Sequence, residues 1–149
     1  MRNMIKNITI IITTLFSVIF LNVASFAADT TVEMLNKQGK ESMVYSQKIV
    51  KINVGDKVIW KATDKGHNVE FIKGGVPEGV EKFKSKYNQD VEFKFDVPGI
   101  YAYWCTPHKS MGMIGFVLVG NDKSNLEAIK TIRYSGKSKK IAPDLINTL

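Results

Sequence analysis

Between residues 32 and 119 the chain repeats a short pattern in which apolar positions alternate with polar ones. Every second residue from Val91 to Phe95 is apolar and the residues between them are charged, which is the spacing of a strand with one buried face. Glycine, proline, asparagine and aspartate separate such runs and mark turns. The pattern predicts an all-β sandwich or barrel of about eight strands, with strand-like runs at 32–34, 50–54, 58–60, 69–71, 91–95, 100–104 and 113–119.

Residues 124–149 change to a helical period. Ser124 and Glu127 form a capping-box pattern, and apolar residues follow at helical spacing. Residues 141–149 can form a second short helix, in which Pro143 is tolerated only in the first turn. We therefore expect two short helices that pack an apolar face on the sandwich, and one further helical turn within residues 80–87.

The segment 1–27 has the pattern of a cleaved export signal. One arginine and one lysine make the start positive, no acidic residue precedes Asp29, and a diluted apolar run covers 8–21. Ser25 and Ala27 place small residues at the two positions that a signal peptidase reads. The run is short for a membrane anchor, because crossing about 30 Å of hydrocarbon takes about 20 residues. We expect cleavage after Ala27, export to the periplasm as a single domain of residues 28–149, and no stable membrane association.

Composition and charge narrow the possible chemistry. The 149 residues include 21 Lys+Arg against 14 Asp+Glu, a net charge of +7. Removing the segment 1–27 takes away Arg2 and Lys6 and leaves a charge of +5. A positive charge is compatible with nucleic acid, anionic membrane or acidic protein partners. The single cysteine excludes an intramolecular disulfide and any zinc site that needs two cysteines. In an oxidising compartment that cysteine has to be buried, paired with another chain or bound to a ligand.

The candidate chemistry surrounds this cysteine. Cys105, His108, Met111 and Met113 lie within one short segment, and the only other histidine, His67, lies well upstream of it. A thiolate, two imidazoles and a thioether are the ligand set of a blue-copper electron-transfer site. An extended segment would place both methionines on the same side, so their spacing alone does not decide which is the axial ligand.

Other interpretations compete with the copper site. Cys105 and either methionine can be ordinary packing residues, and a histidine can be a hydrogen-bonded surface residue. A thiol enzyme would need an accessible thiolate, a base and an oxyanion pocket, and no glycine-rich nucleophile turn is present. A copper-buffering protein would favour open sites rich in methionine or histidine. Nucleic-acid binding would need aromatic residues on an exposed basic sheet. The aromatic residues Trp60, Phe93 and Phe95 instead occupy alternating positions that the pattern assigns to the core. The combined motif favours an electron carrier that is not an enzyme.

On these motifs the chain resembles the pseudoazurins, small exported cupredoxins, along nearly all of residues 28–149. The matching segments include Gly66-His67-Asn68-Val69, Cys105-Thr106-Pro107-His108, Met111-Gly112-Met113, 34–37, 43–44, 54–56, 83–86, 98–99 and 125–128. The resemblance implies a Greek-key cupredoxin β-sandwich with a helical tail at 124–149. It also implies a one-electron Cu(I)/Cu(II) carrier.

The resemblance also assigns the copper ligands and some of their neighbours. It selects Met113 as the axial ligand, and it places Met111 and Met43 near the outer histidine. Electrons are expected to enter and leave through the edge of that histidine, inside an apolar collar that includes Pro107. The implied ligands of one type 1 copper are His67, Cys105, His108 and Met113.

Two further residues are expected to act around the cysteine sulfur. Asn68 can tie the turn of the first histidine to the cysteine loop, and its backbone N–H is an expected donor to the sulfur of Cys105. Pro107 removes one backbone donor and stiffens the loop. Both would act on the reduction potential through hydrogen bonding and local dielectric.

The basic residues suggest how partners dock. The resemblance places five lysines around the copper end, where they would steer acidic redox proteins such as nitrite reductase and c-type cytochromes toward a monomeric carrier. Two positions depart from the family pattern: Trp104 stands where lysine is common, and Glu33 where histidine is common. The five lysines are Lys37, Lys65, Lys84, Lys86 and Lys109.

Overall fold

The computed structural model describes residues 28–149, which form eight strands and two α-helices. The export signal predicted for residues 1–27 lies outside the described residues and stays a prediction. The strands are β1 Asp29–Gln38, β2 Glu41–Tyr45, β3 Ile49–Ile52, β4 Lys57–Lys61, β5 Glu70–Phe71, β6 Val91–Lys94, β7 Gly99–Trp104 and β8 Ile114–Val119.

The strands build two four-stranded sheets that pack as a sandwich. One sheet has the order β2-β1-β4-β6 and the other β3-β8-β7-β5. The pairs β1–β4 and β3–β8 are parallel, and the other neighbours are antiparallel. The chain changes sheet repeatedly along its length, so the predicted Greek-key sandwich of about eight strands is confirmed. The alternation missed β2, because only Val44 and Tyr45 of its five residues are buried.

Strand β8 is buried along its whole length because both of its faces are covered. Val117 and Val119 belong to the core between the sheets, whereas Phe116 and Leu118 belong to the core between the sheet and the helices. The strand that the apolar run 113–119 predicted for the middle of the sandwich is therefore confirmed as β8.

Two short helices cover the outer face of the β7–β8 sheet. Ile129, Ala142 and Ile146 are buried in the same cluster as Phe116 and Leu118, so the predicted packing of an apolar helical face is confirmed. Within residues 28–149, neither helix is long and apolar enough to cross a bilayer. The helices are α1 Leu126–Lys130 and α2 Gly136–Asn147.

Two predictions about helix extent are wrong. Residues 80–87 form no helical turn; this segment runs beside β5, where Lys84 makes an isolated β-bridge with Glu70. Helix α2 starts at Gly136, so Pro143 lies inside the helix rather than in its first turn. Pro143 is on the exposed side of the helix, where water can satisfy the carbonyl that its missing N–H leaves without a partner.

The predicted capping box of α1 is also wrong. The residue that precedes the helix is Asn125, and its side chain makes no cap bond. Its amide oxygen instead accepts from the backbone N–H of Ile100 at 2.9 Å, and its amide nitrogen donates to the Ile100 carbonyl at 2.8 Å. A long-range contact with β7 therefore positions the start of this helix, rather than the local pair of Ser124 and Glu127.

Candidate metal centre

The strand ends of one sheet bring the predicted ligands together. Cys105 follows β7 directly, Met113 precedes β8, and His67 lies in the turn between β4 and β5. Between β7 and β8 the chain makes one 3-10 turn, Thr106–His108. The Cys105 N–H donates to the Met113 carbonyl at 3.0 Å, and the His108 N–H donates to the Cys105 carbonyl at 3.1 Å. This compact loop holds three of the four residues within one small region.

Three potential ligand atoms face one another at separations that suit a shared metal ion. The two Nδ1 atoms of His67 and His108 are 3.2 Å apart. The Cys105 sulfur lies 3.7 Å from the Nδ1 of His67 and 3.4 Å from that of His108. A point equidistant from the three atoms is about 2.0 Å from each, close to the bond lengths that first-row divalent metals form with imidazole nitrogen and thiolate sulfur. The arrangement fits a trigonal metal site.

Burial separates the two methionines that spacing left undecided. Met113 is 0% exposed and belongs to the same core cluster as Cys105. Met111 is 44% exposed, and its backbone N–H donates to the His108 carbonyl at 2.9 Å. A buried thioether beside the thiolate suits the weak axial position of a blue-copper site, so the arrangement of His67, Cys105, His108 and Met113 fits type 1 copper.

The second nitrogen of His67 has a partner that the sequence reasoning missed. Its Nε2 lies 3.0 Å from the amide oxygen of Asn36 on β1. An amide oxygen accepts only, so the ring proton sits on Nε2 and Nδ1 is free for a metal. Asn36 is itself held, because its backbone N–H donates to Asp64 at 2.6 Å. The sequence signal for Asn36 is weak, because this residue only follows the strand-like run 32–34 within the matching segment 34–37.

Asn68 joins the turn of His67 to the cysteine loop. Its side-chain amide donates to the Thr106 hydroxyl at 2.9 Å and accepts from the Thr106 N–H at 2.8 Å. The Tyr45 hydroxyl donates to the Asn68 carbonyl at 2.8 Å. The backbone N–H of Asn68 lies on the side of the Cys105 thiol and lowers its pKa, against the raising effect of burial. Asn68 and Cys105 are fully buried, so these bonds are shielded from water and fix the two loops relative to each other.

A polar cluster continues from the cysteine loop to the surface. The Thr106 hydroxyl donates to Glu70 at 2.6 Å, and the Trp104 indole N–H donates to the same carboxylate at 3.2 Å. Lys84 lies 3.4 Å from Glu70. Although burial opposes it, these contacts together hold the pKa of Glu70 below its usual value. Sequence reasoning assigned no role to Glu70 or Thr106, and their separation of 36 positions gives no local signal.

Burial sets the protonation of the ligand side chains. It lowers the pKa of His67, with a smaller lowering by His108 that Asp64 partly opposes, and it lowers the pKa of His108. Burial also raises the pKa of the Cys105 thiol, while the backbone N–H groups of Asn68 and His108 act in the opposite direction. Neutral imidazoles are the form that binds a metal, and a bound metal deprotonates the thiol.

One edge of this site meets the surface. His108 is partly exposed, whereas His67 is fully buried. Pro107 and Met111 are exposed, and Met43 is half-buried against the core cluster that contains Cys105. Met43 also has a left-handed backbone, with φ of 52°.

The five lysines assigned to docking are exposed. Lys84 is paired with Glu70, so part of its charge is neutralised. The Lys109 ammonium lies 4.9 Å from the centroid of the Trp104 ring, which adds a cation–π contact next to the cysteine loop. Trp104 is half-buried on the helix side of β7, opposite to Cys105.

The chain matches known copper proteins along most of its length. The family described as copper binding proteins, plastocyanin/azurin family, matches residues 32–120. The pseudoazurin of Paracoccus pantotrophus is 46% identical over 114 residues, which are 76% of this chain and 79% of that protein. The solved pseudoazurin of Hyphomicrobium denitrificans has a TM-score of 0.77 at 36% identity, over 81% of this chain and 98% of that one. That of Methylobacterium extorquens AM1 has a TM-score of 0.75 at 37% identity, over 81% of this chain and 99% of that one.

The relatives and the geometry lead to the same cofactor. Members of this family are electron carriers rather than enzymes, and the three ligand atoms of His67, Cys105 and His108 lie within 4.8 Å of one another. The chain therefore belongs to the pseudoazurins, within the plastocyanin/azurin family of copper-binding proteins, and is an electron-transfer protein with one type 1 copper.

Proposed function

We propose that His67, Cys105, His108 and Met113 hold the copper, and that the protein carries single electrons between redox proteins in the periplasm. The observation that carries the ligand assignment is the triangle of two Nδ1 atoms and one sulfur with sides of 3.2, 3.4 and 3.7 Å. Copper, when bound, supplies the Cu(I)/Cu(II) couple.

The protein contributes rigidity to this couple. Asn36 fixes the tautomer of His67, and the paired bonds between Asn68 and Thr106 fix the cysteine loop. A trigonal set of two imidazoles and one thiolate is a compromise between the preferences of the two copper oxidation states. Because the ligands are held by packing and hydrogen bonds, little rearrangement accompanies electron transfer.

His108 is the proposed entry and exit for electrons. Among the four proposed ligands it is the only one that is not fully buried. The apolar surface of Pro107 and Met111 beside it would let a partner approach closely with little cost in desolvating polar groups. Both donor and acceptor would use this one face in turn.

Copper titration tests the ligand proposal. Adding Cu(II) to the copper-free protein should give an intense visible sulfur-to-copper charge-transfer band that disappears on reduction. The Cys105→Ser variant should stay colourless, because it lacks the thiolate. Colour that survives in this variant would contradict the assignment, and a Ser110→Ala variant, changed at an exposed position of the same loop, should titrate like the wild type.

The proposed partners are acidic redox proteins, with nitrite reductase as the acceptor and a c-type cytochrome as the donor. The support is the positive charge of exposed lysines that neighbour the copper ligands in sequence. Lys65 is close in sequence to His67, and Lys109 directly follows His108. Charges of one sign around an apolar contact raise the rate of encounter with a partner of opposite charge, and salt reduces this effect.

Stopped-flow kinetics tests this docking proposal. Reduction by an acidic c-type cytochrome should slow about tenfold or more as salt rises from low to physiological ionic strength. Replacing Lys65 and Lys109 by glutamine should slow the reaction at low salt and flatten its salt dependence. Replacing Lys139 and Lys140 on α2, also exposed, should change the reaction much less. Equal effects of the two pairs would assign the lysines to general solubility.

We also propose that the chain is exported, is cleaved after Ala27 and works as a monomer. The support is the charged, apolar and small-residue order of the segment 1–27. The intact mass of protein from the periplasmic fraction should correspond to residues 28–149, and size-exclusion chromatography should give one protomer. A mass that begins at another residue would move the cleavage position.

A further inference from the structure

The buried carboxylate of Asp56 faces the backbone of Ala28. Asp56, just before β4, is 3% exposed. One of its oxygens accepts from the Ala28 N–H at 2.8 Å and the other from the Asn53 N–H at 2.8 Å. The Ala28 carbonyl in turn accepts from the Lys57 N–H at 3.1 Å. Both backbone groups of Ala28 are therefore held by the segment around Asp56.

This carboxylate lacks a cation among residues 28–149. Asp56 takes part in none of the ion pairs within the described chain, although charged side chains lie on the neighbouring strands. Those side chains pair with each other: Lys57 with Asp29 and Glu92, and Lys94 with Asp96. Backbone hydrogen bonds from Ala28 and Asn53 hold the pKa of Asp56 below its usual value, so the group is ionised at neutral pH.

The position of Ala28 suggests which cation completes the site. Signal cleavage after Ala27 hydrolyses the peptide bond with one water, leaving a carboxylate on Ala27 and an ammonium on Ala28. The atom that now donates as an amide N–H would then carry a positive charge and three donors. A hydrogen bond between charged groups is shorter and stronger than the bond between a neutral amide and a carboxylate.

We propose that Asp56 is a binding site for the α-ammonium of Ala28, completed when the export signal is removed. This inference rests on the proposed cleavage after Ala27 and is independent of copper. Cleavage one residue later would remove Ala28 and with it the bonds to Asp56 and Lys57. The pair would fasten the start of β1 to the start of β4, where Asp29 and Lys57 are aligned in parallel register.

The test compares protein beginning at Ala28 with a free amine and the same protein with an Nα-acetyl group. Acetylation keeps an N–H that can donate to Asp56 and removes only the charge, so it is a matched control. The two solved pseudoazurins match 81% of this chain, and the match covers 99% and 98% of their own lengths. We therefore expect residues 28–149 to fold without the segment 1–27. Asp56→Asn and the neighbouring Asp29→Asn are made in both forms.

The first readout is the pKa of the α-amino group, followed by the NMR shift of the Ala28 methyl group. The pKa of the α-amino group should lie about one unit above its ordinary value of about 7.7, and Asp56→Asn should return this pKa to the ordinary value. Asp29→Asn should change it much less, because Asp29 is exposed and pairs with Lys57. An ordinary pKa in the wild type, or a shift removed by Asp29→Asn alone, would overturn the proposal.

The second readout is the unfolding equilibrium in urea. A raised pKa of an amine stabilises the fold below the unfolded pKa and loses this effect as pH rises through the folded pKa. At pH 6 the equilibrium constant for unfolding of the free-amine protein should therefore be about tenfold smaller than that of the acetylated protein. The unfolding constants of the two forms should converge above about pH 10. Equal stability at pH 6 would contradict the proposal even if Asp56→Asn failed to fold. The intact mass of exported protein separately tests the cleavage position.

Discussion

At the scale of single residues, burial decides which of several candidates takes part in the site. Met111 and Met113 are two positions apart, yet one is exposed and the other belongs to the core with Cys105. His67 and His108 differ in the same way, which agrees with their proposed roles as an inner ligand and an outer, partner-facing ligand. Side chains of the same type therefore have different roles because of their depth in the molecule.

Met113→Leu should raise the reduction potential and change the visible spectrum. Leucine fills a similar volume but lacks the thioether donor, whose loss destabilises Cu(II) more than Cu(I). Met111→Leu should shift the potential several-fold less, because that side chain is 44% exposed. Potentiometric titration of both variants measures the difference, and a larger shift for Met111→Leu would reassign the axial ligand.

Asn36→Ala should weaken copper binding about 10–100-fold, the usual effect of removing the hydrogen-bond partner of a metal-bound histidine. Without the amide oxygen at 3.0 Å, the ring of His67 loses the contact that fixes its tautomer. A competition titration against a copper chelator measures the affinity. Gln38→Ala, an exposed change on the same strand, is the control, and equal losses in both variants would exclude a specific role for Asn36.

At the scale of secondary-structure elements, β7 works as a divider between two cores. Tyr101, Tyr103 and Cys105 belong to the core between the sheets, whereas Ile100 and Ala102 belong to the core under the helices. Alternation along a strand sends successive side chains to opposite faces. The cysteine is therefore held on the copper side of this strand.

Asn125→Ala should lower the free energy of unfolding by about 1–3 kcal/mol, since it leaves the buried backbone groups of Ile100 without partners. Both bonds run from Asn125 to Ile100 on β7. Urea unfolding followed by fluorescence measures the loss. The free energy of unfolding of Ser124→Ala should stay within about 0.5 kcal/mol of the wild type. A loss of about 1 kcal/mol in this variant would instead support the capping-box prediction.

At the scale of the whole molecule, the titratable groups predict acid instability. Hydrogen bonds and ion pairs lower the pKa of Glu41 and Asp90. A lowered carboxyl pKa stabilises the fold above the unfolded pKa, and the effect is lost as pH falls through the folded pKa. Burial also lowers the pKa values of the His67 and His108 imidazoles, and these groups act with the same sign below about pH 6.5.

The copper-free protein should therefore lose stability steadily from about pH 6.5 to pH 3, measured by urea unfolding at each pH. Asp90→Asn should lose less between about pH 5 and pH 3, because Asp90 accepts from Lys61 and from the Ala62 N–H. Asp144→Asn, at an exposed position of α2, should keep the full dependence. A stability that is flat across this range would contradict the expected linkage.

The sequence by itself determined the fold class and the ligand types. Alternating apolar residues predict strands because one face of each must be buried, and a single cysteine near a histidine and two methionines supplies ligand types of a blue-copper site. These signals are local in the chain. They sufficed for the sandwich, for the buried run of β8 and for the ligand types of the candidate copper site, but not for the choice between Met111 and Met113.

Only the tertiary structure decided the features that depend on distant segments. Asn36 reaches His67 across 31 positions, Asn125 reaches Ile100 across 25, and Asp56 reaches Ala28 across 28. Such hydrogen bonds leave no periodic signal, because they depend on which strands become neighbours. For the same reason the capping box, the start of α2 and the turn at 80–87 were wrongly predicted: local propensity is weak, and packing against the sandwich outweighs it.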